Sequence, residues 1–337
     1  MRQPAQAAID NPAAGTNNGS MLAAQLLLVL TASLAAAAAA HASPAPPQNS
    51  PAAAATSGYV PERVFDTRAA AFSDFEVMLA DLSRADVVLV GEEHDDANTH
   101  RLETALLEGL LRRRPALVVS LEMFERDVQP ALDAYLGGRN TEEDFLKASR
   151  PWPRYATDYR PLVELAKVQT WPVIAANVPR RVASDIARNG LAPLASLPAP
   201  ERAFVAADMQ CPKDAYFDRF AAMMGEHPGS TPGATADGAA QQAMIERYYQ
   251  SQCAKDETMA ESIAASFARR GSASGPIVHF TGAFHSDFGT GTAERVRRRL
   301  PGRRVAIVTL VPLATLDGLT PSADDLKRAE YLIYTVR

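Results

Sequence analysis

Four short apolar runs in this 337-residue chain each end in side chains able to do chemistry. Val87-Val88-Leu89-Val90 stops at Gly91 and is followed at once by Glu92, Glu93, His94, Asp95 and Asp96. The run 117–121 leads into Glu122, and 172–176 leads into Asn177, with Arg180 and Arg181 just beyond. The run 276–281 leads into a turn bounded by Gly282 and Gly289 that carries His285 and Asp287. Imidazole with carboxylate binds divalent metals, which makes Glu92, His94 and His285 candidate ligands. The same three with Glu122 form a candidate acid–base set, because a buried carboxylate beside another is pushed toward a neutral pKa. Guanidinium grips two oxygens at once, which suits Arg180 to a carboxylate or phosphate. Imidazole and phenolate also ligate haem iron. Each group has an ordinary alternative: Asp95 or Asp96 as a helix cap, and a lone histidine as a structural residue. Four such groups at one edge of a sheet point to a site, since chemistry concentrates on loops held by a rigid scaffold. A Gly-x-Ser-x-Gly elbow, a glycine-rich nucleotide fingerprint and His-Glu-x-x-His spacing are all absent from the sequence.

The elements that must position these residues follow from periodicity. An uninterrupted β-branched run reads as a strand buried on both faces, which is the signature of a parallel sheet. Leu102, Ala105, Leu106, Gly109 and Leu110 recur at helical spacing, so a helix over about 97–113 follows the first strand. Strand, helix and the next apolar strand make a βαβ unit. The expected class is α/β, with a mostly parallel central sheet flanked by helices. In such a sheet ligands sit outside the carboxyl ends of the strands, where the four polar groups fall. Phe72 to Leu79 suggests a short helix, and 152–161 an aromatic, proline-rich loop. Residues 191–255 carry no strong strand and read as an α-helical insertion with a loose loop at 225–240, helix resuming near Asp256. Strands are expected at 305–310 and, as a sheet edge, at 331–336.

The net charge of −5 and pI near 5.7 give no support for a nucleic-acid partner. The runs Arg112-Arg113-Arg114 and Arg297-Arg298-Arg299 read as solvated helix ends complementing the dipole. Met21 opens an apolar run reaching Ala40, and Ala40-His41-Ala42 matches a small-x-small cleavage site. Residues 1–42 are therefore expected to be a signal peptide with a preceding leader, whether Met1 or Met21 is the start. A membrane anchor is the alternative. Residues 43–60 read as a flexible Pro/Ala-rich linker and 61–337 as a single domain, periplasmic or otherwise exported and soluble after cleavage. Cys211 and Cys253, the only cysteines, are expected to pair in an exported chain.

Taken together, Gly91-Glu92-x-His94-Asp95, Leu121-Glu122-Met123-Phe124, Asn177-x-Pro179-Arg180, Asp256-x-x-Met259-Ala260 and Gly282-x-x-His285 resemble the ChaN-type haem-binding uptake proteins. These belong to the wider Tiki/erythromycin-esterase superfamily, and the resemblance spans about residues 62–335. It implies an exported bacterial protein that binds haem in iron acquisition, with His94, Tyr159, Arg180 and His285 as candidate haem contacts. Phe217, Phe220, Met223, Met224 and the aromatic stretch 152–159 would then supply an apolar pocket. Haem is the implied partner, with a homodimer and an outer-membrane or periplasmic uptake system as further candidates. The wider superfamily implies the alternative, a metal-dependent hydrolase or protease using Glu92, His94, Glu122 and His285. Two features depart from the family: no cysteine near the signal could be lipidated, and the residues of the insertion at 195–255 do not match the family's pattern. On either reading these four residues should face one cleft with Arg180 at its rim, which requires the strands bearing His94 and His285 to be close.

Overall fold

Uninterrupted apolar runs become central strands, and the sheet they form decides which side chains meet. A computed structural model describes residues 59–225, 238–270 and 275–337. The expected signal peptide, nearly all of the linker and most of the 225–240 loop lie outside them. Eight strands form one sheet: β1 (Glu62–Asp66), β2 (Ala71–Ser73), β3 (Val87–Glu92), β4 (Val118–Glu125), β5 (Val173–Asn177), β6 (Ile277–Gly282), β7 (Val305–Leu313) and β8 (Tyr331–Val336). Their order is β2-β1-β8-β7-β3-β6-β4-β5. From β8 to β5 every pairing is parallel, and β1 runs antiparallel to β8 and β2.

Every residue of β3, β4, β5 and β6 is buried, which is why their sequences do not alternate. Alternation appears instead in which core each side chain joins. Val88 and Val90 pack with Leu106 and Leu110 of the helix Ala97–Leu111 on one face. Val87 and Leu89 pack with Met259, Ile263 and Val296 on the other. Fully burying each such side chain contributes about 1.5–3 kcal/mol, so the strand ends are anchored from both sides. Asp96 accepts from the Thr99 backbone N–H at 2.7 Å and so caps the helix that follows β3. Among the described residues no helix is long and apolar enough to cross a membrane.

Several local expectations are corrected. β8 is not an edge strand but lies between β7 and β1, because the short pair β1–β2 covers it. That pair leaves little trace in sequence, being five and three residues long. Phe72 belongs to β2, and the helix starts at Phe75 behind the Asp74 cap. The stretch 152–161 contains a helical turn, Tyr155–Asp158, and opens the helix Arg160–Val168. The helix expected to resume near Asp256 is continuous from Gly238 to Arg270. Its second half carries the sheet-facing Met259 and Ile263. Its first half packs through Ile245 and Tyr249 on Tyr216, Phe217 and Phe220. Arg298 and Arg299 are not simply solvated: both reach the fully buried Glu257, at 2.7 and 2.5 Å.

Cys211 and Cys253 form a disulfide that ties the segment after β5 to the long helix, across 42 residues of sequence. Replacing both by serine should cost roughly 4 kcal/mol, the loop-closure entropy returned to the unfolded chain. The midpoint of denaturant unfolding checks this, and an unchanged midpoint would mean the insertion is held by packing alone.

Candidate functional site

Since β3, β6, β4 and β5 are neighbours, Glu92, Gly282, Glu122 and Asn177 stand side by side at their carboxyl ends. Adjacent strands lie roughly 4.8 Å apart, so side chains from these ends meet directly. Glu122 is the hub. Its Oε2 accepts from the Thr281 hydroxyl at 2.6 Å and the Gly282 N–H at 2.9 Å. Its Oε1 lies 3.5 Å from His285 Nε2. On the other side of that ring, Nδ1 is 2.8 Å from Asp256 Oδ1. Asp256 is fully buried and also accepts from the hydroxyls of Tyr216 and Thr292, both at 2.8 Å. Burial alone would push Glu122 up, but the positive charges of His285, His94 and Lys255 and the Thr281 bond hold it down at about 2. Burial would likewise lower His285, and the Glu122 and Asp256 carboxylates outweigh it and raise the imidazole.

The second half of the site hangs on Glu92. Its Oε1 accepts from the Tyr159 hydroxyl at 2.8 Å and lies 2.5 Å from His94 Nδ1. The His94 side chain is 45% exposed and Glu92 is sealed, so a buried carboxylate orients a solvent-facing imidazole. Burial works to lower His94, but its bond to Glu92 and the charges of Glu122, Glu92 and Glu93 raise it. His94 Nε2 has no hydrogen-bond partner among the described residues. The ring lies across the end of β6, where a Cβ on Gly282 would fall 2.7 Å from Nε2. Only a residue without a side chain lets the His94 ring rest there. A Cβ on Gly91 would meet Ser286 Oγ at 2.7 Å, so that glycine brings β3 against the turn carrying His285. Trp152 stands edge-on to His94, with ring centroids 5.1 Å apart. Trp152 is also a wall of a cavity of about 430 Å³ lined by Glu125, Asn177, Arg180 and Lys255.

Glu92, His94, Glu122 and His285 thus surround the end of β6. Arg180 is 62% exposed, 3.6 Å from Glu125, at the cavity rim. Tyr159 is 1% exposed and directed at Glu92, and burial, with the Glu92 charge, raises its phenol far above the ordinary value. Phe217 and Phe220 are core, packed edge-on or tilted around Tyr249 with Tyr216, and Met223 is partly exposed. Asp287 turns away to the Thr309 hydroxyl and Arg328, each at 2.7 Å.

Two site residues escaped the sequence reading, and a third, Asp256, entered it only within a family motif and without a role. Asp256 sits on the long helix rather than at a strand end. His100 and Glu103 lie one turn apart on the helix Ala97–Leu111 and face inward beneath His94. The His-x-x-Glu spacing was their only signal. Among the described residues, the donor atoms that converge as metal ligands would are those of Glu92, His100 and Glu103. The imidazoles of His94 and His285 are instead oriented by separate carboxylates, Glu92 and Asp256.

The family model described as "Haem-binding uptake, Tiki superfamily, ChaN" matches residues 78–296. A search of curated proteins finds no match. Among solved structures, one described as cofacial haem binding to ChaN of Campylobacter jejuni is similar at a TM-score of 0.58 and 15% identity, over 82% of this chain and 97% of that one. A Bacillus cereus protein is similar at a TM-score of 0.44 and 13% identity, over 77% and 90% of the two chains. An erythromycin esterase mutant in its open conformation is similar at 0.42 and 11%, over 82% and 83%. At 15% identity the likeness to the Campylobacter jejuni structure shows the fold alone.

Proposed function

We propose, from the premise that this chain belongs to the ChaN family of haem-binding uptake proteins in the Tiki superfamily, that it holds haem at the strand ends with His94 toward the iron. One observation carries the reading: a half-exposed imidazole, anchored by a buried carboxylate, with Nε2 unpartnered beside a cavity walled by Trp152 and flanked by cations. Glu92 accepts the Nδ1 proton, which fixes the tautomer and leaves the Nε2 lone pair for a metal. Trp152 offers a flat apolar wall to a porphyrin. Arg180 and Lys255 suit its carboxylates, Arg180 through two parallel bonds. Tyr159 acts through Glu92, which it holds in place. Haem itself supplies the iron; the chain supplies the oriented ligand, the wall and the counter-charges.

The test is to titrate haemin into the full chain and follow the Soret band. A saturable change at one haem per chain supports the reading, and a spectrum of free haemin at every ratio overturns it. The titration should also depend on pH. The Glu92 bond raises the His94 pKa, and only the neutral ring ligates, so each binding event below that pKa expels a proton. Affinity should therefore climb by up to tenfold per pH unit and level off above the raised pKa, within the range from about pH 6 to about pH 9. A flat profile would show that His94 does not change charge on binding.

Export completes the proposal. Cleavage after Ala42 would release a periplasmic protein that passes haem to an uptake system, and the apolar run 21–40 followed by a small-x-small site supports it. N-terminal sequencing of the exported protein decides this point. Sedimentation with and without haemin reads whether two copies share the ligand as a homodimer. A hydrolase is the second reading, favoured by the Asp256–His285–Glu122 array. Asp256 orients the ring and leaves Nε2 facing a second carboxylate, as acid–base catalysis requires. Turnover of model esters that is lost in His285→Gln would support it.

A further inference from the structure

Beneath His94, behind Glu92, lie two buried groups that the haem reading does not use, His100 and Glu103. Glu92, His100 and Glu103 are each at most 2% exposed, and one donor atom from each lies within 4.8 Å of the others. Two carboxylate oxygens in this cluster, Glu92 Oε2 and Glu103 Oε1, are buried without a hydrogen-bond partner. Leaving a buried carboxylate oxygen unmatched costs several kcal/mol unless a cation or a proton compensates it. The histidine is set up for the first of these. In the tautomer that carries its ring proton on Nε2, that proton goes to the His94 carbonyl oxygen at 3.2 Å, with Asp158 Oδ2 at 3.4 Å. Nδ1 is then a lone pair, 2.9 Å from Glu103 Oε2 and 3.7 Å from Glu92 Oε2. A nitrogen lone pair facing two carboxylates is the donor arrangement of a metal site. The ring N–H given to a backbone carbonyl is the support that metal-bound histidines use.

We propose that Glu92, His100 and Glu103 form a buried site for one divalent first-row metal ion, of the class of Zn²⁺ or Mn²⁺. One nitrogen and several carboxylate oxygens suit borderline and hard ions of this series, and the absence of sulfur disfavours the softest. Glu92 would be shared, one oxygen on the metal and the other on His94, so the ion would anchor the carboxylate that orients the exposed imidazole. This inference does not rest on haem binding. Its rival is a single proton: burial beside Glu92 pushes the Glu103 carboxyl well up, and a protonated Glu103 could fill the same gap.

The experiment distinguishes the two. The full chain, stripped with EDTA and dialysed, is titrated separately with Zn²⁺, Mn²⁺ and Mg²⁺, reading bound metal by elemental analysis and the melting temperature. The expected result is one equivalent of Zn²⁺ or Mn²⁺ per chain, a higher melting temperature when loaded, and at least about a hundredfold weaker binding in both Glu103→Gln and His100→Gln. Glutamine mimics a protonated glutamate, so E103Q should fold, which separates loss of the ion from loss of the fold. Wild-type protein that retains no metal and an E103Q variant as stable as the wild type would establish the proton and overturn the site. An equivalent retained undiminished in both variants would place the metal elsewhere and equally overturn it. A wild type that binds metal but not haemin would leave this inference standing and sink the haem reading instead.

Discussion

Asp256→Ala should cost about 5 kcal/mol of stability. Asp256 is 0% exposed and accepts three hydrogen bonds, from His285, Tyr216 and Thr292. Truncation strands all three donors in the interior, each at about 1–3 kcal/mol, and removes a negative charge that balances buried His285. Burial opposes the charge on Asp256, yet His285, Arg295 and the Tyr216 bond hold its carboxyl below the ordinary value. The stability this contributes is present above the unfolded carboxylate pKa and is lost as pH falls through the lowered one. The wild type should therefore lose more stability than Asp256→Ala on acidification from neutral pH. Urea melts of both proteins at neutral and acid pH measure both effects. A loss below about 1 kcal/mol would mean that water satisfies the stranded donors.

His94→Ala should behave in the opposite way, weakening haemin binding about a thousandfold or more while costing about 1 kcal/mol of stability. A thousandfold is about 4 kcal/mol, the scale of losing an oriented metal ligand rather than a rim contact. Stability should barely move because the ring is half exposed: solvent enters its place, and Tyr159 still donates to Glu92. His285 offers the contrast, being 6% exposed between two carboxylates, so its truncation should lower stability first. Haemin titration and thermal melts on both variants read the two quantities separately.

How much of this was legible in the sequence depends on how each residue is held. Glu92, Glu122 and His285 were readable because they follow apolar runs that could only be buried strands, each ending near a glycine or a polar break. That the strands bearing His94 and His285 are neighbours was not readable, since it depends on strand order. A simple βαβ unit would set β4 beside β3, but β6, some 160 residues further on, lies between them. Placed there, β6 brings Gly282 under the His94 ring and Thr281 onto Glu122. His100 and Glu103 were hidden by the helix carrying them. Leu102, Leu106 and Leu110 announce its apolar stripe, while buried polar residues one turn apart look in sequence like any solvated pair. Asp256 was visible only as part of a family motif, and its role was hidden because it sits in the middle of a helix whose first half has no clear period. The fold class needed only the runs, and the site needed the contacts between them.

The central claim is that the His94 imidazole is the haem contact, and chemical rescue tests it most directly. Haemin is added to His94→Ala with and without free imidazole, and the Soret band is compared with that of the haem-loaded wild type. The account predicts that the variant alone gives a weak, altered spectrum and that added imidazole restores the wild-type band by filling the vacated position over Gly282. A variant that binds haemin as tightly as the wild type, with the same spectrum and no response to imidazole, would contradict it.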